Sequence, residues 1–202
     1  QVHKIISKNI IGYEIIEQLG WKAPKNIVVC MASGSLLTKI YKSVKEFEDL
    51  GFIEPNDTKI FGAQASGCSP ISTAVKNKWD TFKPVKPNTI AKSLAIGNPA
   101  DGINAINLLN SINSYSEDVS DEEIVSAMKL LAETEGIFTE TAGGVTLASA
   151  KKLIEAGRIP RNESIVLVIT GNGLKTQDPL VNNITKPYII EPKIEDFNKI
   201  FD

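Results

Sequence analysis

The stretch Lys25-Asn-Ile-Val-Val-Cys-Met-Ala-Ser-Gly-Ser-Leu-Leu-Thr-Lys-Ile-Tyr41 decides how this chain is read. Ile27 to Met31 form a continuous apolar run rich in β-branched residues, the pattern of a strand covered on both faces. Four small residues follow: Ala32, Ser33, Gly34 and Ser35. A helical pattern then begins, with Leu36, Leu37, Ile40, Tyr41, Val44 and Phe47 on one face. A strand, a small-residue turn and a helix start together make an anion-binding unit. The turn's amides are free and converge, the helix N-terminus adds partial positive charge, and small side chains let the backbone come close to a phosphate. An ordinary tight strand-to-helix turn has the same composition, and this stretch alone does not separate the two.

Outward from this unit, residues 5–19 read as a helix, with Ile6, Ile10, Tyr13, Ile16 and Leu19 near helical spacing. Gly20 stops it and Pro24 sits in the connection. Downstream, the second helix ends near Gly51, and residues 59–64 form a short strand. The spacing then predicts a helix over 71–76 with Pro70 in its first turn, and irregular surface over 79–88. Residues 89–99 read as a short helix or as an extended segment entering the Gly97-Asn98-Pro99 turn. A helix over 100–112 offers Ile103, Ile106, Leu108 and Leu109 for burial, and 114–119 contains a short strand. Ser120-Asp-Glu-Glu123 is a capping box opening a helix that Gly136 ends. Ile137-Phe138 is brief and extended, and a helix from about Glu140 stops at Gly157. Residues 164–170 are a second apolar strand, read as buried, and the tail from about 178 is peripheral. Strands alternating with helices predict a single α/β domain over residues 1–202. Its architecture is an open, mainly parallel sheet with helices on both faces, a three-layer αβα arrangement.

Composition narrows the function. The chain has 202 residues, 42% hydrophobic and 23% charged, which supports a sizeable core. The formal net charge of -2, with no run of Lys or Arg, argues against a nucleic-acid or anionic-membrane surface. No apolar run approaches the ~20 residues of a membrane span, and no signal peptide is expected ahead of the first helix. Cys30 and Cys68 are isolated, fitting neither a disulfide framework nor a zinc spacing, so a reducing cytoplasm is expected. His3 is the only histidine, and no metal site is expected.

Both apolar strands end in small-residue turns, at Ala32 and at Thr170. In open parallel sheets, ligands bind outside the carboxyl ends of the strands. If both turns lie on that edge they face one cavity, and the helix start at Thr141-Ala-Gly-Gly144 opens there too. The nucleotide P-loop, the Gly-x-Gly-x-x-Gly fingerprint after the first strand and the nucleophile elbow are all absent. Glu140 is the carboxylate best placed for chemistry. An acid that steadies a helix N-terminus would sit in the same position.

Six motifs in order carry a resemblance. They are Gly12-Tyr-Glu-Ile-Ile-Glu-Gln-Leu-Gly-Trp21, Ala32-Ser-Gly-Ser-Leu-Leu37, Gly62-Ala-Gln-Ala-Ser-Gly-Cys-Ser-Pro-Ile71, Ile96-Gly-Asn-Pro99, Glu135-Gly-Ile-Phe-Thr-Glu-Thr-Ala-Gly-Gly144 and Thr170-Gly-Asn-Gly-Leu-Lys175. Together they resemble the threonine synthases, pyridoxal-phosphate enzymes of the tryptophan-synthase-β fold type, over residues 12–176. The resemblance implies that Ala32, Ser33, Gly34, Ser35 and Leu36 cradle the cofactor's phosphate. It implies that the Thr170 hydroxyl contacts the pyridine nitrogen, and that Gly97 and Glu140 lie in the vicinity of cofactor or substrate.

One departure is large. The family's Schiff-base lysine sits in a Ser-Phe-Lys-Asp-like motif before the phosphate loop, and nothing before Ala32 matches it. Thr81-Phe-Lys-Pro84 follows the loop and carries proline where the acid belongs, so Lys83 is rejected. The resemblance therefore implies the C-terminal portion of a larger enzyme that makes threonine and phosphate from O-phosphohomoserine and water. This chain would supply no catalytic lysine and be inactive alone. A related dehydratase or lyase, and a non-catalytic module binding a phosphorylated metabolite, remain open, as does homo-oligomerisation.

Overall fold

The computed structural model describes residues 8–181 and 188–201. Four parallel strands form one sheet in the order β3-β2-β1-β4. They are β1 (Asn26–Cys30), β2 (Lys59–Ala65), β3 (Ser116–Val119) and β4 (Ile165–Val168). The register pairs Val29 with Gly62, Asn26 with Ile165, and Gly62 with Ser116. Seven α-helices accompany the sheet among the described residues: α1 (Asn9–Gln18), α2 (Ser35–Asp49), α3 (Pro70–Lys76), α4 (Gly102–Ser111), α5 (Asp121–Glu135), α6 (Thr141–Glu155) and α7 (Ile194–Phe201).

The two-residue period of β1 divides the core. Ile27, Val29 and Met31 join Ile16, Leu37, Ile40, Ile71 and Ile106 on the face covered by α1, α2, α3 and α4. Val28 and Cys30 point the other way, toward Ile124, Met128, Val145 and Leu153 of α5 and α6. The expected three layers are present. Leu37 and Ile40 are fully buried, and truncating such a residue to Ala costs about 2–5 kcal/mol.

Local chemistry sets the element ends. Ser120 accepts from the Glu123 amide while Glu123 accepts from the Ser120 amide, the predicted capping box. Such a cap contributes ~1 kcal/mol. Gly136 ends α5 in the left-handed region (φ 66°). The short α3 carries Pro70 in its first turn, and buried Gln64 caps it from β2. Gln64 Oε1 accepts from the amides of Ile71 at 3.0 Å and Ser72 at 2.9 Å. Within 89–99 the backbone makes one 3-10 turn, Lys92–Leu94.

Two expectations are corrected. Residues 164–170 were expected as a buried strand, but β4 lies at the edge of the sheet, and Ile165, Val166 and Leu167 are only half-buried because a neighbour flanks one side alone. Ile103 is 51% exposed, because the buried stripe of α4 runs through Gly102, Ala105, Ile106 and Leu109, and the next residue round from Gly102 points away. Among the described residues the first helix begins at Asn9, and the earlier part of the expected span, with Ile5 and Ile6, lies outside them.

Candidate functional site

The turn after β1 is built to stay open. Gly34 takes φ 88°, a left-handed conformation that L side chains rarely adopt. A Cβ there would stand 2.9 Å from the Asp101 carbonyl oxygen and 3.1 Å from Ala105 Cβ. Asp101, at the head of α4, buttresses the turn from behind. Its amide donates to the Ser33 carbonyl at 2.9 Å, and its carboxylate accepts from the Thr38 hydroxyl at 2.8 Å. The amides of Ser33, Gly34, Ser35 and Leu36 find no acceptor among the described residues. They sit at the start of the 15-residue α2, where the helix dipole favours an anion.

A second strand end meets this turn. The Thr170 hydroxyl, just beyond β4, lies 3.7 Å from the Cys30 sulfur at the end of β1. Burial pushes the Cys30 thiol pKa up, so it stays a neutral thiol. The segment before α6 is tied to the same place. The Glu140 amide donates to the Gly171 carbonyl at 3.0 Å, the Gly173 amide donates to the Phe138 carbonyl at 2.9 Å, and Thr139 bridges Asn172. Glu140 is 4% exposed, and its carboxylate lies 3.4 Å from Lys175 Nζ.

Ala32, Ser33, Gly34, Leu36, Glu140 and Thr170 line one cavity of about 220 Å³ at the carboxyl edge of the sheet. Ser35 adjoins it through its hydroxyl, 2.9 Å from that of Ser33. The start of α6 contributes Ala142, so three expected openings converge. Gly97 does not line the cavity. It packs against the backbone of Val85, where an added Cβ would meet the carbonyl oxygen at 1.7 Å. Ser93 and Leu94 of the same segment reach the cavity instead. Lys8 lines it too and donates to Ser35 Oγ across a separation of 27 residues. Sequence spacing carries no signal for Lys8, because it arrives through the packing of α1 on α2.

A larger groove of about 660 Å³ lies at the opposite edge of the sheet, lined in part by Lys59, Lys76, Lys78, Tyr115 and Arg158. Three of these cations, Lys76, Lys78 and Arg158, are already engaged or placed for another reason. Lys76 pairs with Glu117 and Asp118, and Arg158 lies 4.5 Å from the Tyr115 ring centroid. Lys76, Lys78 and Arg158 also sit at or just past the C-termini of α3 and α6, where cations offset the helix dipole. Size therefore does not select the site; the open amides at the carboxyl edge do.

Fold and site define an open α/β protein with a polar cavity at the carboxyl end of a parallel sheet, the place where such sheets take ligands. Residues 4–171 match the family described as pyridoxal-phosphate dependent enzymes, and the chain belongs to that family. Pyridoxal phosphate is the family's cofactor. The chain is 40% identical over 189 residues to the threonine synthase of Methanocaldococcus jannaschii, covering 93% of this chain and 46% of that protein. It is 34% identical to the threonine synthase of Methanosarcina acetivorans, covering 96% and 48%. The chain thus spans about half the length of these curated relatives. Among solved structures, a threonine deaminase from Solanum lycopersicum matches with TM-score 0.66 and 20% identity over 88% of this chain and 49% of that one. Maize serine racemase matches with TM-score 0.64 and 20% identity over 84% and 48%. These likenesses establish the fold.

The residues present suit a phosphate-bearing cofactor. Four open amides, the hydroxyls of Ser33 and Ser35 and a helix N-terminus supply donors. Glu140, the only carboxylate lining the cavity among the described residues, is balanced by Lys175.

Proposed function

We propose that this chain is the C-terminal portion of a threonine synthase, whose whole protein converts O-phosphohomoserine and water to threonine and phosphate. The observation that carries the reading is the meeting of the open Ser33–Leu36 amides, the Thr170 hydroxyl and Glu140 on one cavity, in a chain 40% identical to a threonine synthase. The turn Ala32, Ser33, Gly34, Ser35 and Leu36 would hold the cofactor's phosphate through backbone donors. The Thr170 hydroxyl would meet the pyridine nitrogen. When bound, pyridoxal phosphate supplies an electron sink for a carbanion at the substrate.

The chain's own contribution is binding and orientation. The Thr170 hydroxyl is neutral, so it does not hold a proton on the ring nitrogen as a carboxylate would. Glu140 stands at the cavity wall, where it can accept a proton from a bound ligand or fix the cavity's charge. No lysine of this chain occupies the family's Schiff-base context, and the attachment lysine belongs to the part of the enzyme outside this chain. Replacing Gly34 with Asp tests the cradle. A carboxylate facing the phosphate, on a residue forced to φ 88°, should abolish retention of pyridoxal phosphate in a dialysis titration. Unchanged affinity would remove the turn from the site.

A further inference from the structure

Every donor so far assigned to the phosphate position is neutral: four amides and two hydroxyls. A phosphate monoester at neutral pH carries nearly two negative charges, and a helix N-terminus offers only about half of one positive charge. The cavity also contains a full cation. Lys8 sits just ahead of α1, is half-buried, and lines the same cavity as Ser33 and Gly34. Its ammonium donates to Ser35 Oγ. Among the described residues no carboxylate pairs with it.

We propose that Lys8 is the charged member of the phosphate site, acting both through space and through the Ser35–Ser33 hydroxyl pair. An ammonium can only donate, so Ser35 Oγ accepts from Lys8. The Ser33 and Ser35 oxygens lie 2.9 Å apart, and one hydroxyl proton joins them. The other proton has no acceptor in this network and is left to give to a ligand in the cavity. The ammonium polarises that pair and makes the remaining hydroxyl a stronger donor. Packing of α1 against α2 fixes the arrangement: Ser43 Oγ on α2 donates to the Asn9 carbonyl at 2.9 Å, one residue beyond Lys8. Lys8 therefore arrives at the head of α2 as a consequence of helix packing.

The chemistry selects a doubly ionised phosphate monoester and gives no advantage to an uncharged analogue. This rests on the cofactor reading above. The test compares the 202-residue chain with its Lys8→Met and Lys8→Arg variants, titrated with inorganic phosphate, pyridoxal phosphate and pyridoxal. Charge-assisted hydrogen bonds imply a loss of about ten- to a hundredfold in affinity for both phosphate ligands in Lys8→Met. Pyridoxal binding should be unchanged, and Lys8→Arg should retain most of the phosphate affinity. Phosphorus NMR gives a readout that packing damage would not move. In the wild type the bound phosphate should lose its second proton at lower pH than in Lys8→Met. Equal phosphate affinity and equal phosphorus titration in wild type and Lys8→Met would overturn the role of Lys8 while leaving the cradle standing. Parallel loss of pyridoxal and pyridoxal phosphate would assign Lys8 to packing and also overturn it. Failure of the wild type to bind either phosphate ligand would overturn the cradle and Lys8 together.

Discussion

The Thr170 hydroxyl lies 3.7 Å from the sulfur of Cys30, across the junction between β4 and β1. This contact joins the two strand ends that the candidate site needs. Burial raises the thiol's pKa, and the thiolate is the reactive form. Cys68 is buried as well, and its thiol is shifted in the same direction by the same cause. Neither cysteine should react with iodoacetamide in the native chain at neutral pH, and both should react once it is unfolded in urea. Mass spectrometry of the alkylated protein reads this directly. Fast native alkylation of Cys30 would place its sulfur at the surface and break the contact with Thr170.

Glu46 ties α2 to α1 and gives a pH signature. Its carboxylate accepts from the Tyr13 hydroxyl, and it lies within 3.3 Å of Asn9 Nδ2 and of Lys42 Nζ. The Tyr13 hydrogen bond, first among these, holds its pKa below the ordinary value. The folded state therefore favours the ionised form. The resulting stability is present above the unfolded pKa of about 4.3 and is lost as pH falls through the lower folded value. Urea midpoints of wild type and Glu46→Gln should differ at pH 7 and converge as pH falls from about 4.3 through the lower folded value. A gap that persists in acid would trace the effect to packing or to neutral hydrogen bonds.

Much of this was legible in the sequence where the cause is local. The apolar run of β1, the small residues after it and the capping box at Ser120 each depend on neighbours within a few positions, and each reappears in the structure. The meeting of the Ala32 and Thr170 turns was legible from strand polarity once both strands lie parallel in one sheet, and the place of Glu140 beside them was implied by the family resemblance. Long-range packing was not legible. The run at 165–168 is apolar on both faces, which reads as an interior strand, yet its place at the sheet edge depends on which strands flank it. Ile103 carries the right chemistry for burial but lies off the buried stripe of α4. Gly97 is demanded by the close approach of Val85, and Lys8 reaches Ser35 only because α1 docks on α2.

The proposal that the Schiff-base lysine lies outside this chain is testable on the chain itself. Covalent attachment needs an amine placed at the aldehyde with the right orientation. Mixing the chain with pyridoxal phosphate, reducing with borohydride and mapping peptides should give scattered, substoichiometric lysine labelling. O-phosphohomoserine should release no phosphate. One stoichiometric adduct together with turnover would show that this chain carries its own attachment lysine.

The most direct test of the account is to locate the phosphate on the folded chain. Amide chemical-shift mapping during titration with pyridoxal phosphate reports each backbone donor separately and tolerates weak binding. The largest shifts should fall on Ser33, Gly34, Ser35 and Leu36, with a second cluster at Thr170 and Gly171. Shifts centred on Lys59, Lys78 and Arg158 at the opposite edge, with the Ser33–Leu36 amides unmoved at saturation, would contradict it.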